Sequence, residues 1–118
     1  MTNSSIRSTL ESERASARER VQTLQDELAW LAGDAEDANG DDEHDPEGST
    51  LAFERARAAA LLAEAESTLA ELDRALAKLA DGTYARCEVC GGAIAPERLD
   101  ALPATRHCFA CAVSRQTD

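Results

Sequence analysis

Cys87-Glu88-Val89-Cys90-Gly91-Gly92, answered downstream by Cys108-Phe109-Ala110-Cys111, is the stretch on which the reading of this chain turns. Two C-x-x-C pairs with a medium spacer fit the general C-x₂-C…C-x₂-C pattern of a structural zinc site. One such turn brings two thiolates to one side of a metal, and a second completes a tetrahedron with Zn–S bonds of about 2.3 Å. Gly91 and Gly92 follow the first pair, where unhindered backbone can fold back and bring amides toward the sulfurs. A disulfide pair, a redox C-x-x-C and an iron–thiolate site compete with zinc for these residues. No secretory-signal pattern precedes them, which weakens the disulfide reading. Redox C-x-x-C motifs sit in an α/β context, and none is visible. One structural zinc ion held by Cys87, Cys90, Cys108 and Cys111 is the expectation, with iron and a redox switch left as alternatives.

Upstream of the cysteines the pattern is helical. Residues 1–7 are short, polar and uncapped and are expected to fray. Ser8-Thr9-Leu10-Glu11 reads as a capping box. Leu10, Arg14, Ala17, Val21, Leu24, Leu28 and Leu31 then recur at alternating four- and three-residue steps, a heptad seam interrupted by Arg14, which Gly33 is expected to end. From Gly33 to Gly48 acids crowd the chain and Lys and Arg are absent. Like charges at that density repel, so residues 34–48 are expected to be a solvated tip. Asp45-Pro46-Glu47 resembles a helix start, with Asp45 as N-cap and Pro46 at the first helical position, although Gly48 shifts the expected regular helix toward Ser49.

A second seam follows through Leu51, Arg55, Ala58, Leu62, Ala65, Leu69, Leu72, Leu76 and Leu79, with Gly82 as the natural C′ residue. Two such helices fold back on one another and bury seam against seam. At 1.5 Å per residue the second spans about 50 Å, the dimension of a rod. Ile94, Leu99 and Leu102 are the expected mini-core between the cysteine pairs, with Pro96 and Pro103 fixing turns, and residues 109–115 are expected to form a short helix. The predicted fold is therefore all-α: a long antiparallel helical hairpin, or coiled coil, with a small C-terminal four-cysteine zinc-finger module and a short terminal helix. Its expected divisions are a flexible 1–8, a hairpin over 9–82 with its tip at 34–48, and the finger over 83–118.

Composition bounds the function. The chain has 118 residues, and its only aromatic side chains are Trp30, Phe53, Tyr84 and Phe109. Ala and Leu dominate the rest of its apolar content, which suits narrow helix–helix seams better than a thick core. A net charge of −11 argues against sequence-specific DNA binding or general nucleic-acid binding, and against an anionic membrane surface. No apolar run is long enough to span a bilayer. Free thiol pairs would be a liability outside the cell, so the cytoplasm is the expected compartment. No nucleophile–base set and no Gly-rich phosphate loop is present, so no catalytic residue is assigned.

The residues from Gly82 onward resemble a known family. Gly82-Thr83-Tyr84, Cys87-Glu88-Val89-Cys90-Gly91, Ile94, Arg98-Leu99-Asp100-Ala101-Leu102-Pro103 and Cys108-Phe109-Ala110-Cys111 look like the C-terminal signature of the DksA/TraR family. The resemblance implies a C4 zinc finger at the base of an antiparallel coiled coil. It also implies a bacterial transcription regulator that binds RNA polymerase directly, its coiled coil entering the secondary channel and its acidic tip approaching the catalytic magnesium. The tip departs from the family's D-x-x-D-x-A. Laid on Asp45-Pro46-Glu47-Gly48-Ser49-Thr50, it keeps the first Asp as Asp45 but has Gly48 and Thr50 at the other two positions. Asp42, Glu43 and Glu47 keep acid close by, so with Asp45 they are the candidate partner-binding residues. Polymerase binding with a regulatory effect that is changed or lost is the expectation.

Other residues carry milder expectations. Trp30 and Phe53 are expected to staple the end of the hairpin, with partner contact as the alternative. Arg14 and Arg55 are expected to snorkel or to pair with nearby acids and fix register. Arg86, Arg98, Arg106, His107 and Arg115 give the finger a basic cast, and His107 adjoins Cys108 although four cysteines already fill a tetrahedron. The protein is expected to be a monomer or to self-associate weakly. Two competing functions stand beside the polymerase regulator: a zinc-capped coiled-coil adaptor that never enters polymerase, and a thiol redox sensor.

Overall fold

Apolar side chains at alternating four- and three-residue spacing produce two long helices, α1 (Asn3–Ala38) and α2 (Pro46–Asp81), each of 36 residues. Two short ones follow, α3 (Pro96–Ala101) and α4 (Phe109–Gln116). This computed structural model describes residues 3–38 and 46–116, with side chains over 3–33 and 49–115. The fold is all-α, a helical hairpin followed by a small cysteine-bearing module; among the described residues the only β pairing is an isolated antiparallel bridge, Arg86 with Ala93. No helix among them is long and apolar enough to cross a membrane.

The chain divides into two compact units, and both long helices contribute to each. One unit comprises residues 16–68. Among the described residues its buried side chains are Ala17, Leu24 and Leu31 on α1 and Ala58 and Ala65 on α2, each series at seven-residue spacing. The intervening seam positions Val21, Leu28, Leu51, Arg55 and Leu62 are half-buried. Leucines on one helix and alanines on the other permit close approach while filling the space between.

The other unit comprises residues 1–15 and 69–118. Leu10 is fully buried, and Leu72, Ala75 and Leu79 are buried on α2. The seam arginine Arg14 forms an ion pair and hydrogen bond with Asp73, which ties α1 to α2 and realises the expected pairing with an acid. At the end of α2 Gly82 takes φ +85°, and the Thr83 amide bonds back to the Lys78 carbonyl at 2.9 Å, a Schellman closure that only glycine enters without strain. Asp81 accepts from both the amide and the hydroxyl of Thr83, and these bonds hold its carboxyl below the usual range.

Several boundaries differ from expectation. Helix α1 begins at Asn3 and not at Ser8: nothing in Ser4-Ser5-Ile6-Arg7 breaks a helix, and Thr9 already bonds back to the Ser5 carbonyl at 3.1 Å. Nor does Gly33 stop it, because glycine ends a helix by adopting positive φ, and only Gly82 and Gly91 do so among the described residues. Helix α2 starts at Pro46 and runs through Gly48. The candidate tip residues Asp42, Glu43 and Asp45 lie outside the described residues, and Glu47 is described only as part of α2. Trp30 and Phe53, expected as staples, are instead 64% and 72% exposed.

Candidate metal centre

The first cysteine pair sits on a tight backbone reversal. The Cys87 amide bonds to the Gly92 carbonyl at 2.8 Å, and the Ile94 amide to the Ala85 carbonyl at 2.8 Å. Between these segments Gly91, at φ +72°, turns the chain so that its own amide meets the Cys87 carbonyl at 3.0 Å. The amides of Val89 and Gly92 each donate to a cysteine sulfur, Cys87 and Cys90 respectively, at 3.4 Å. The second pair opens a helix. Cys108 precedes α4 and its carbonyl accepts the Ala112 amide at 3.0 Å, so Cys111 falls in the first turn. Between the pairs, Pro96 occupies the first position of α3, a helix too short for its periodicity to be read from sequence.

These elements bring four sulfurs together. The thiol groups of Cys87, Cys90, Cys108 and Cys111 all lie within 4.8 Å of one another, and none is in a disulfide. The Cys90 and Cys108 sulfurs are 3.9 Å apart. The edge of a tetrahedron with Zn–S bonds of about 2.3 Å is about 3.8 Å, so the spacing suits one tetrahedral ion. The electrostatics point the same way. Amides of Cys90 and Cys108 directed at the Cys87 sulfur lower its pKa to about 6, whereas the neighbouring Cys108 thiol and burial push Cys111 up to about 12. Sulfurs this close cannot all carry negative charge without a cation among them, and a divalent ion supplies that charge.

The metal-bearing module has a core of its own, though not quite the expected one. Ile94 and Tyr84 are buried, Leu99 is half-buried, and Leu102 is 50% exposed because α3 ends just before it. The buried Tyr84 is the unexpected member of this core, and its hydroxyl donates to the Pro103 carbonyl at 2.8 Å. The basic residues of the module are largely committed to structure. Arg98 donates to the His107 carbonyl at 2.9 Å and lies over the Phe109 ring, 6.0 Å from its centroid. Arg106 pairs with Glu71 at 3.1 Å and with Glu88 at 3.5 Å. Lys78 reaches the Arg86 carbonyl at 3.0 Å and Glu88 at 3.6 Å. Sequence reasoning missed Glu71, Lys78 and Glu88; the one available signal was that Lys78 is the chain's sole lysine.

Residues 82–116 match the prokaryotic dksA/traR C4-type zinc finger. This segment is a DksA/TraR C4-type zinc finger. General stress protein 16O of Bacillus subtilis (strain 168) is 31% identical over 97 residues, which cover 82% of this chain and 56% of that protein. An uncharacterized protein of Aquifex aeolicus (strain VF5) is 52% identical over 46 residues, 39% of this chain and 32% of its own length. The chain thus spans about a third and somewhat over half of these two relatives. The fold is that of the transcription factor DksA2 from Pseudomonas aeruginosa, with a TM-score of 0.79 and 22% identity over 98% of this chain and 83% of that one.

Proposed function

We propose that Cys87, Cys90, Cys108 and Cys111 hold one zinc ion, and that the protein is a cytoplasmic, non-catalytic transcription regulator that binds RNA polymerase directly. The DksA/TraR finger at 82–116 carries this reading, with support from the shared fold of a known transcription factor. Zinc supplies the tetrahedral crosslink of the module. The chain's own residues do the rest: the amides of Val89 and Gly92 orient two sulfurs, and Tyr84 and Ile94 seal the space beneath. The acidic residues Asp42, Glu43 and Asp45 between the two long helices, with Glu47 at the start of α2, enter the enzyme's secondary channel and bring carboxylates toward the magnesium-bearing centre, for which hard oxygen ligands are suited.

The test replaces the polymerase active-site magnesium with ferrous iron and maps hydroxyl-radical cuts along the end-labelled protein. Cuts clustered between Gly40 and Thr50 are expected. Binding without cuts would place the tip elsewhere, and absence of binding by the zinc-loaded protein would overturn the polymerase reading. The adaptor reading draws on Trp30 and Phe53, both exposed near the same segment. It requires that Asp45→Ala with Glu47→Ala leave function in cells intact.

A further inference from the structure

Glu88 and Arg106 stand on the two cysteine-bearing loops, one inside the first C-x-x-C and the other two residues before the second. They meet twice. The Glu88 amide donates to the Arg106 carbonyl at 2.9 Å, and the Arg106 Nε lies 3.5 Å from Glu88 Oε2. Each also reaches α2. Arg106 Nη1 contacts Glu71 at 3.1 Å, and Glu88 contacts Lys78 at 3.6 Å. Glu71 and Lys78 are seven residues apart, so they lie on one stripe of α2 two turns apart, with Arg74 between them and 3.7 Å from Glu71. Lys78 is the best shielded of the four, its side chain only 14% exposed, and it also holds the Arg86 carbonyl immediately before Cys87.

Taken singly, half-exposed ion pairs contribute little. Here, however, both loops whose shape depends on the cysteine quartet grip the same stripe of one helix. We propose that Lys78, Glu88, Arg106 and Glu71 form a metal-coupled latch, in which loading the four cysteines fixes the finger to the end of α2 and the grip on α2 in turn tightens metal binding. The two effects are one coupling free energy seen from two sites, so they must be equal. The four are positioning residues; none is a ligand. The proposal rests on the four-cysteine metal reading and is independent of polymerase binding.

The test uses the full chain and cobalt(II), whose thiolate absorption reports occupancy, titrated against a competing chelator. Lys78→Gln and Arg106→Gln are each expected to weaken cobalt binding about fivefold or more. Arg14→Gln, which removes an ion pair of the same unit that does not touch the finger, should leave it unchanged. The sole lysine gives a second readout. Acetylation of Lys78, followed by mass spectrometry, should be slow in the loaded protein and fast after chelation, and in Arg106→Gln this protection by metal should shrink. Affinities within twofold of the parent, an equal loss in Arg14→Gln, or metal-independent acetylation of Lys78 would each overturn the latch. Failure of the parent chain to bind cobalt at all would overturn the four-cysteine reading and the latch with it.

Discussion

The hydroxyl of Tyr84 donates a 2.8 Å hydrogen bond to the carbonyl of Pro103, joining the lead-in of the finger to the segment that precedes its second cysteine pair. The ring is buried and its polar end is satisfied, so one side chain serves as both core and strut. Tyr84→Phe should cost about 1 kcal/mol, the net worth of one hydrogen bond, and Tyr84→Ala about 3–5 kcal/mol. Denaturant unfolding of the metal-loaded protein separates the two. Burial also raises the phenol pKa above its ordinary 10.0. Its contribution is therefore complete below pH 10 and lost as pH climbs through the folded value. Tyr84 is the only tyrosine, so a phenolate absorbance titration reads that group alone. A midpoint at or below 10 would contradict the packing described.

Metal removal should act locally. The finger has too few buried apolar side chains to hold itself together, whereas residues 16–68 bury a stripe of their own. Chelation is expected to strip hydrogen-exchange protection from the amides of residues 83–116 and to leave those of 17–31 protected. Acid should mimic the chelator, because the four proposed ligands bind metal as thiolates. The Cys87 preference for thiolate, set by a folded pKa of about 6 against an ordinary 9.0, is complete above pH 9 and disappears as pH falls through 6. Protection over 83–116 that survives both treatments would contradict this account.

The Arg14–Asp73 pair joins two half-exposed side chains. A double-mutant cycle with Arg14→Ala and Asp73→Ala should give an interaction of about 0.2–1 kcal/mol, smaller at high salt. A value of several kcal/mol would mean that the pair is far better shielded than its exposure indicates.

The buried stripe of residues 16–68 should be intolerant of change in either direction. Leu31, only 1% exposed, should cost about 2–5 kcal/mol as Leu31→Ala. Ala58→Leu should also destabilise, by about 1–3 kcal/mol, because the added bulk has no space beside the leucine series. Trp30, the sole tryptophan and largely exposed, should tolerate Trp30→Ala with little loss, which thermal unfolding followed by circular dichroism would show.

Much of this was legible because a heptad writes its buried face directly into sequence spacing. Leu10, Ala17, Leu24 and Leu31, and Ala58, Ala65, Leu72 and Leu79, were all on the expected seams and all are buried. The cysteine quartet was equally plain, since two C-x-x-C turns admit few geometries. What escaped was whatever depends on register or on contacts across many residues. Spacing shows that Arg14 faces the partner helix, but not that Asp73, 59 residues on, is what it meets. The grip of Glu88 and Arg106 on α2 depends on how the finger is placed, which no local pattern encodes. Helix α3 was missed because six residues are too few for a period to declare itself. Leu102 was assigned to the core on hydrophobicity alone, whereas it caps the end of α3 and is half exposed.

The order of residues in the buried stripe has its own consequence. Sliding α1 along α2 by seven residues would put Leu24 where Leu31 stands but Ala17 where Leu24 stands, so one layer would lose a leucine to an alanine. The alanine in the α1 series thus marks one alignment off from its neighbour. Unrepeated polar contacts such as Arg14 with Asp73, which any slide would break, act in the same direction. Uniqueness is written into the helices by the one layer that does not repeat.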